Sequence, residues 1–227
     1  MHGQNRGALT VFLGYAAGVG KTYAMLNAAH QRKAAGDDVV IGYFEPHGRG
    51  ETVTKTEEFE IIPRRKVPYH GSVFDEMDTD AILARRPQVC LVDELAHTDV
   101  PGSQRAKRWE DVEVLLNNGI DVMTTMNIQH LESLKEQVWQ KCGIRVHEVV
   151  PDRLLREAHD VVIVDLPPQE LLHRLREGAV CEPGEAERAR HHFFREKTLT
   201  ALRELALQQS AHLPVRYIAP WSVSRAH

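Results

Sequence analysis

The stretch Leu9-Thr-Val-Phe-Leu-Gly14-Tyr-Ala-Ala-Gly18-Val-Gly20-Lys21-Thr22 decides the fold. Leu9–Gly14 is an apolar run of strand length, and a helical pattern follows the glycines. Ala24 and Ala28, and Met25 and Ala29, recur four apart until Gly36-Asp37 stops the helix. A glycine loop between a strand and a helix turns its backbone N–H groups inward as an anion cradle, to which the helix N-terminus adds its positive dipole end. In that setting Gly14, Gly18, Val19 and Gly20 form the cradle, Lys21 reaches outer phosphates and the Thr22 hydroxyl holds Mg²⁺. The strict phosphate-loop pattern asks for glycine where this chain has Tyr15, and a loop one residue longer, starting at Gly14, accommodates the difference. The alternative is a glycine-rich turn with an incidental Lys-Thr pair.

A second motif supports the first. Val89-Cys-Leu-Val92-Asp93-Glu94 is an apolar strand ending in two acids. An acid at the carboxyl end of a neighbouring strand completes a Mg²⁺ site, which assigns Asp93 to the metal. Glu94 is the candidate catalytic residue, polarising water for hydrolysis, or else it caps the next turn. Ligands of open α/β sheets bind beyond the carboxyl ends of the strands. That rule brings in Arg49, which follows the second strand, as a phosphate partner, and Thr125 or Asn127 as groups sensing the outer phosphate. Alternatively Arg49 pairs with Glu51, and Asn127 caps a helix starting near Gln129.

Working outward, Val39–Glu45, Gln88–Val92, Asp121–Thr125, Arg145–Val150 and Val161–Leu166 read as further strands. Asp78–Arg86, Arg108–Asn118, His130–Lys141 and Asp152–Ala158 read as helices, with short hairpin strands among Pro63, Pro68 and Gly71. This alternation predicts a mostly parallel sheet covered by helices, a P-loop NTPase-like α/β fold, over residues 8–166. From Pro167 the strands are expected to stop. A helical C-terminal extension (Gln169–Glu177, Gly184–Phe194, Thr198–His212) occupies 167–213, and 214–227 reads as a tail or linker.

Composition narrows the function classes. The chain has 227 residues, 28 Lys plus Arg against 32 acidic residues, a net charge of -4 and 42% hydrophobic residues. That balance speaks against a nucleic-acid or anionic-membrane coat, and the basic clusters Arg64-Arg65-Lys66, Arg85-Arg86 and Lys107-Arg108 read as solvated faces. No apolar run approaches a membrane span and no signal peptide is legible. The three cysteines, Cys90, Cys142 and Cys181, lack CxxC spacing and suit a reduced, cytoplasmic chain. None of the thirteen histidines stands in a zinc-ligand motif, which leaves Mg²⁺ with a nucleotide as the metal the sequence argues for.

The segments GYAAGVGKTYAML, EPHGRGET, LVDELAHTD followed by PGS and KRWEDVE, TTMNIQHLESL, VDLPPQELLHRL and ALRELAL occur in one order from about Ala8 to about Gln208. In this the chain closely resembles the cytoplasmic N-terminal domain of the KdpD family of potassium-responsive sensor histidine kinases. It departs from the family at Pro46, usually threonine, and across Ser103–Lys107. The resemblance implies an ATP-binding regulatory domain set before a universal-stress-protein-like domain, membrane helices and a kinase core that signals to the response regulator KdpE. The later parts are not in this chain, so it is expected to be an excised domain or a short family member, at most a weak ATPase. The competing expectations are a P-loop ATPase or small-molecule phosphotransferase, and an interaction module with a decayed loop.

Overall fold

The computed structural model describes residues 6–46, 50–176, 193–211, 213 and 215–218. Seven strands form one sheet: β1 (Leu9–Gly14), β2 (Val39–Tyr43), β3 (Glu60–Ile61), β6 (Val89–Val92), β7 (Asp121–Asn127), β8 (Asp160–Val164) and β9 (Val215–Ile218). Their order is β3-β2-β6-β7-β1-β8-β9, and every pairing is parallel. Helices flank this sheet: α1 (Lys21–Ala34), α2 (Gly50–Thr54), α3 (Thr79–Arg85), α4 (Arg108–Asn117), α5 (Lys135–Cys142), α6 (Asp152–Arg156), α7 (Pro168–Arg176) and α8 (Glu196–Ser210). An antiparallel hairpin, β4 (Arg65–Tyr69) with β5 (Ser72–Glu76), stands apart from the sheet.

The expected α/β architecture with a parallel sheet is therefore what the chain adopts. Crossover helices cover a parallel sheet, so its central strands lose contact with water on both faces and read as unbroken apolar runs. Val11, Phe12, Leu13, Val40, Ile41, Val89 to Val92 and Val161 to Val164 are accordingly buried. Asp78 caps α3 by accepting from the Ala81 amide at 3.1 Å, fixing the start of that helix.

Three expectations give way. Arg145–Val150 is not a strand: its one ladder contact is a bridge from Val150 to Leu131. β1 is already hydrogen-bonded on both sides, by β7 and β8, so the alternating burial of Val146 and Val150 reflects packing over the sheet end, not a place within it. His130–Lys141 is not one helix. Two 3₁₀ turns, Ile128–His130 and Glu132–Leu134, precede α5, and Leu131 between them is extended (φ −70°, ψ 126°) because it makes that bridge. Nor do strands stop at Pro167, since β9 extends the sheet beside β8. The helix expected over Gly184–Phe194 lies almost wholly outside the described residues, as do Cys181 and Arg49.

Candidate functional site

Beyond the carboxyl ends of β1, β6 and β7 the chain forms a cleft lined by Ala17, Gly18, Lys21, Thr22, Asp93, Glu94, Thr125, Asn127 and His130, among others. The loop from β1 to α1 builds one wall. Gly18 (φ 88°) and Gly20 (φ 104°) take left-handed backbone that only glycine adopts without strain. Gly14 answers a different demand: a Cβ there would stand 2.6 Å from Val19 Cγ2 and 3.0 Å from Lys21 Cδ. Val19 is fully buried beneath the loop, so what its side chain contributes there is packing. Tyr15, the extra residue, is buried too, and its hydroxyl donates to the Leu166 carbonyl at 2.6 Å.

Gly20 is the N-cap of α1, its carbonyl accepting the Ala24 amide at 2.9 Å. No side chain caps that end and no acid lies in its first turn, so the positive pole of the helix faces the loop without a built-in anion. Lys21 is buried, its ammonium donating to the Ala16 carbonyl at 2.9 Å across the loop mouth.

Asp93 forms the opposite wall and is 1% exposed. The Thr22 hydroxyl is 3.3 Å from both of its carboxylate oxygens. β7 runs between β1 and β6, and from it the Thr125 hydroxyl donates to Asp93 Oδ1 and accepts the Glu94 amide at 3.1 Å. Glu94 itself has left-handed backbone (φ 57°), which turns the chain sharply at the cleft. Asn127 closes β7 level with Gly14, and its Oδ1 is buried without a hydrogen-bond partner among the described residues. No side-chain cap bond joins Asn127 to the turn that follows, contrary to the capping alternative.

The structure thus brings Gly18, Lys21, Thr22, Asp93, Glu94 and Thr125 to one cleft, with Gly14, Val19 and Gly20 supporting its loop. Two groups escaped the sequence reading. His130 lies in the cleft wall, its Nδ1 held by the Glu148 carbonyl at 2.9 Å, and burial pushes its pKa below the usual 6.5. Arg108, read as part of a solvated basic run, is fully buried. It stacks 3.5 Å over the Tyr43 ring and donates to the Asp93 carbonyl at 3.3 Å. Its position as the first residue of α4, next to Lys107, gave no sign of this. Cys90 is buried in β6, and burial pushes its thiol up to about 12, so it is an inert packing group.

Among the described residues no helix is long and apolar enough to cross a membrane. Residues 5–213 match the family model described as the osmosensitive K⁺ channel His kinase sensor domain, KdpD. The chain is 51% identical over 217 residues to the sensor protein KdpD of Escherichia coli K12, a match covering 96% of this chain and 24% of that protein. It is 52% identical over 207 residues to the putative sensor protein KdpD of Synechocystis, covering 91% of this chain and 56% of the relative. With the sensor protein KdpD of Clostridium acetobutylicum it shares 47% identity over 208 residues, 92% of this chain and 23% of the relative. The chain spans about a quarter to a half of the length of these relatives. It belongs to the KdpD sensor-domain family.

Proposed function

We propose that this chain is an ATP–Mg²⁺-binding regulatory domain of a KdpD-type sensor histidine kinase. It acts on the cytoplasmic side of the membrane, through the remaining domains of such a kinase, on the response regulator KdpE and so on the expression of Kdp potassium uptake. The observation that carries the nucleotide reading is the meeting of Thr22 and Asp93 at 3.3 Å, at the mouth of a glycine loop that opens onto a helix N-terminus.

The residues present fit such a ligand. A hydroxyl and a carboxylate are the hard oxygen donors that Mg²⁺ prefers, and the ion would neutralise phosphate charge there. A Cβ at Gly14 would collide with Val19 and crowd the Lys21 stem, and the buried Asn127 Oδ1 has no hydrogen-bond partner among the described residues. Lys21, poised over the loop, would pair with outer phosphates, and Thr125 keeps Asp93 in register with Thr22. Regulation is supported by the ties of the same loop to α8: Tyr15 bonds the Leu166 carbonyl, and adjacent Asp165 pairs doubly with Arg203 at 2.6 and 2.5 Å.

ATP hydrolysis is a second reading, and the strained backbone that sets Glu94 at the cleft favours it. Calorimetric titration of ATP–Mg²⁺ into the wild type and Lys21→Ala, with phosphate release followed in parallel, tests both. Charge-assisted bonds contribute about 1.5–3 kcal/mol, so Lys21→Ala is expected to bind roughly ten- to a hundredfold more weakly. Binding with negligible turnover supports the regulatory reading. Turnover lost in Glu94→Gln supports hydrolysis, and absence of binding by the wild type overturns both.

A further inference from the structure

A second polar cluster abuts the cleft, beside the Thr22–Asp93 pair. Glu76 ends β5, while His97 and Asp99 lie just beyond the Asp93–Glu94 turn. His97 Nε2 is 3.1 Å from Glu76 Oε2 and 3.8 Å from Asp99 Oδ1, and one donor atom from each residue lies within 4.8 Å of the other two. Such closeness of two carboxylates is costly where water is excluded, and the Glu76 and Asp99 side chains are only 9% and 4% exposed.

Arg108 answers only part of that charge. Its nearest carboxylate contact is Glu76 Oε2 at 3.5 Å, and its other bonds go to the Asp93 carbonyl and the Tyr43 ring. Asp99 Oδ2 is buried with no hydrogen-bond partner among the described residues.

We infer that Glu76, His97 and Asp99 form a binding site for a first-row divalent cation of the Zn²⁺ type, reached from the cleft through His97. One imidazole with two carboxylates is a donor set for Zn²⁺, whereas Mg²⁺ and Ca²⁺ take all-oxygen shells. The separations of 3.1 and 3.8 Å bracket the roughly 3.3–3.4 Å edge of a tetrahedron with bonds of 2.0–2.1 Å. His97 is 29% exposed and lines the cleft, which provides an entry path and would admit water as a fourth ligand. Coordination would take the neutral imidazole through Nε2. The site escapes sequence motifs because Glu76 reaches it from the hairpin, far along the chain from His97 and Asp99.

The test is titration of Zn²⁺ into the full chain after dialysis against chelator, read by calorimetry. Co²⁺ replaces Zn²⁺ in a parallel series and reports tetrahedral coordination through its visible absorption. One ion per chain is expected, with binding at least roughly tenfold weaker in His97→Gln and Asp99→Asn. Circular dichroism checks that both variants are folded, and Asp93→Asn separates this site from the neighbouring Thr22–Asp93 pair by retaining the ion. Absence of stoichiometric binding in the wild type, undiminished binding in both folded variants, or loss of the ion in folded Asp93→Asn overturns the inference.

Discussion

Thr125 donates its hydroxyl hydrogen to Asp93 Oδ1, and the Thr125 hydroxyl oxygen accepts the Glu94 amide at 3.1 Å. One side chain on β7 thus fixes the direction of the acid on β6 and the sharp turn after it. Removing the hydroxyl while keeping the shape, in Thr125→Val, leaves a buried carboxylate oxygen short of a donor. The expected loss is about 1–3 kcal/mol, read as a lower urea midpoint with an unchanged m-value. Thr125→Ser, which can make both bonds, is expected to recover most of it. Equal stability of Thr125→Val and wild type would show that the bond only accompanies the Asp93 geometry.

Much of this arrangement was legible because its signals are local. Gly14 to Thr22 and Val89 to Glu94 each place strand, turn and chemistry within a few residues, so spacing alone located both walls of the cleft. What escaped depends on partners distant in sequence. The alternation of Arg145–Val150 reports half-burial, yet a ladder also needs an unoccupied neighbour, and β1 has its two neighbours in β7 and β8. β9 is the converse case. Val215–Ile218 is too short and too close to Pro214 and Pro220 to stand out, and it becomes a strand by pairing with β8. Arg108 shows the limit of reading charge: a basic run looks solvated until an aromatic face and a carbonyl are folded against it.

The extra residue of the loop carries its own prediction. Tyr15→Phe leaves the buried Leu166 carbonyl without the hydroxyl that now donates to it, at an expected cost of about 1–2 kcal/mol. Because Asp165 next to Leu166 pairs with Arg203, the substitution also loosens the path from the loop to α8. Hydrogen exchange is the measurement. ATP–Mg²⁺ is expected to protect α8 amides in the wild type and to protect them less in Tyr15→Phe. The same protection in both proteins would remove Tyr15 from that path.

His130 makes stability depend on pH. Its Nδ1 faces a carbonyl, which only accepts, so that nitrogen carries the hydrogen and a second proton has to enter at Nε2. Burial is the main cause of its lowered pKa; Lys21 adds to the lowering, while the Glu148 backbone bond and the charges of Glu148 and Glu94 oppose it. In the unfolded chain the imidazole takes up its proton near 6.5. Below that value the unfolded state binds more protons than the folded one, so stability is full above it and is lost as pH falls through the folded pKa. Urea midpoints measured from pH 7.5 downward are expected to fall less in His130→Gln than in wild type. Parallel curves would show that His130 takes up its proton alike in the folded and unfolded states.

Arg108 is the strongest single anchor predicted outside the apolar core. It is fully buried, and it alone among the described side chains joins the Tyr43 face, the Asp93 carbonyl and Glu76. Arg108→Met fills similar space but leaves Glu76 and Asp99 facing each other without their nearest guanidinium. Breaking a buried ion pair in this way costs about 3–5 kcal/mol, visible as a large fall in the urea midpoint. The size of that loss bears on the cation site as well. A divalent ion held by Glu76, His97 and Asp99 supplies the charge that Arg108 no longer provides. Zn²⁺ should therefore raise the midpoint of Arg108→Met by more than it raises that of the wild type, through linkage between ion binding and folding. An equal rise in both would mean that the arginine and the ion answer different charges, and an unstable variant that Zn²⁺ leaves unaltered would make Arg108 the cluster's sole counter-ion.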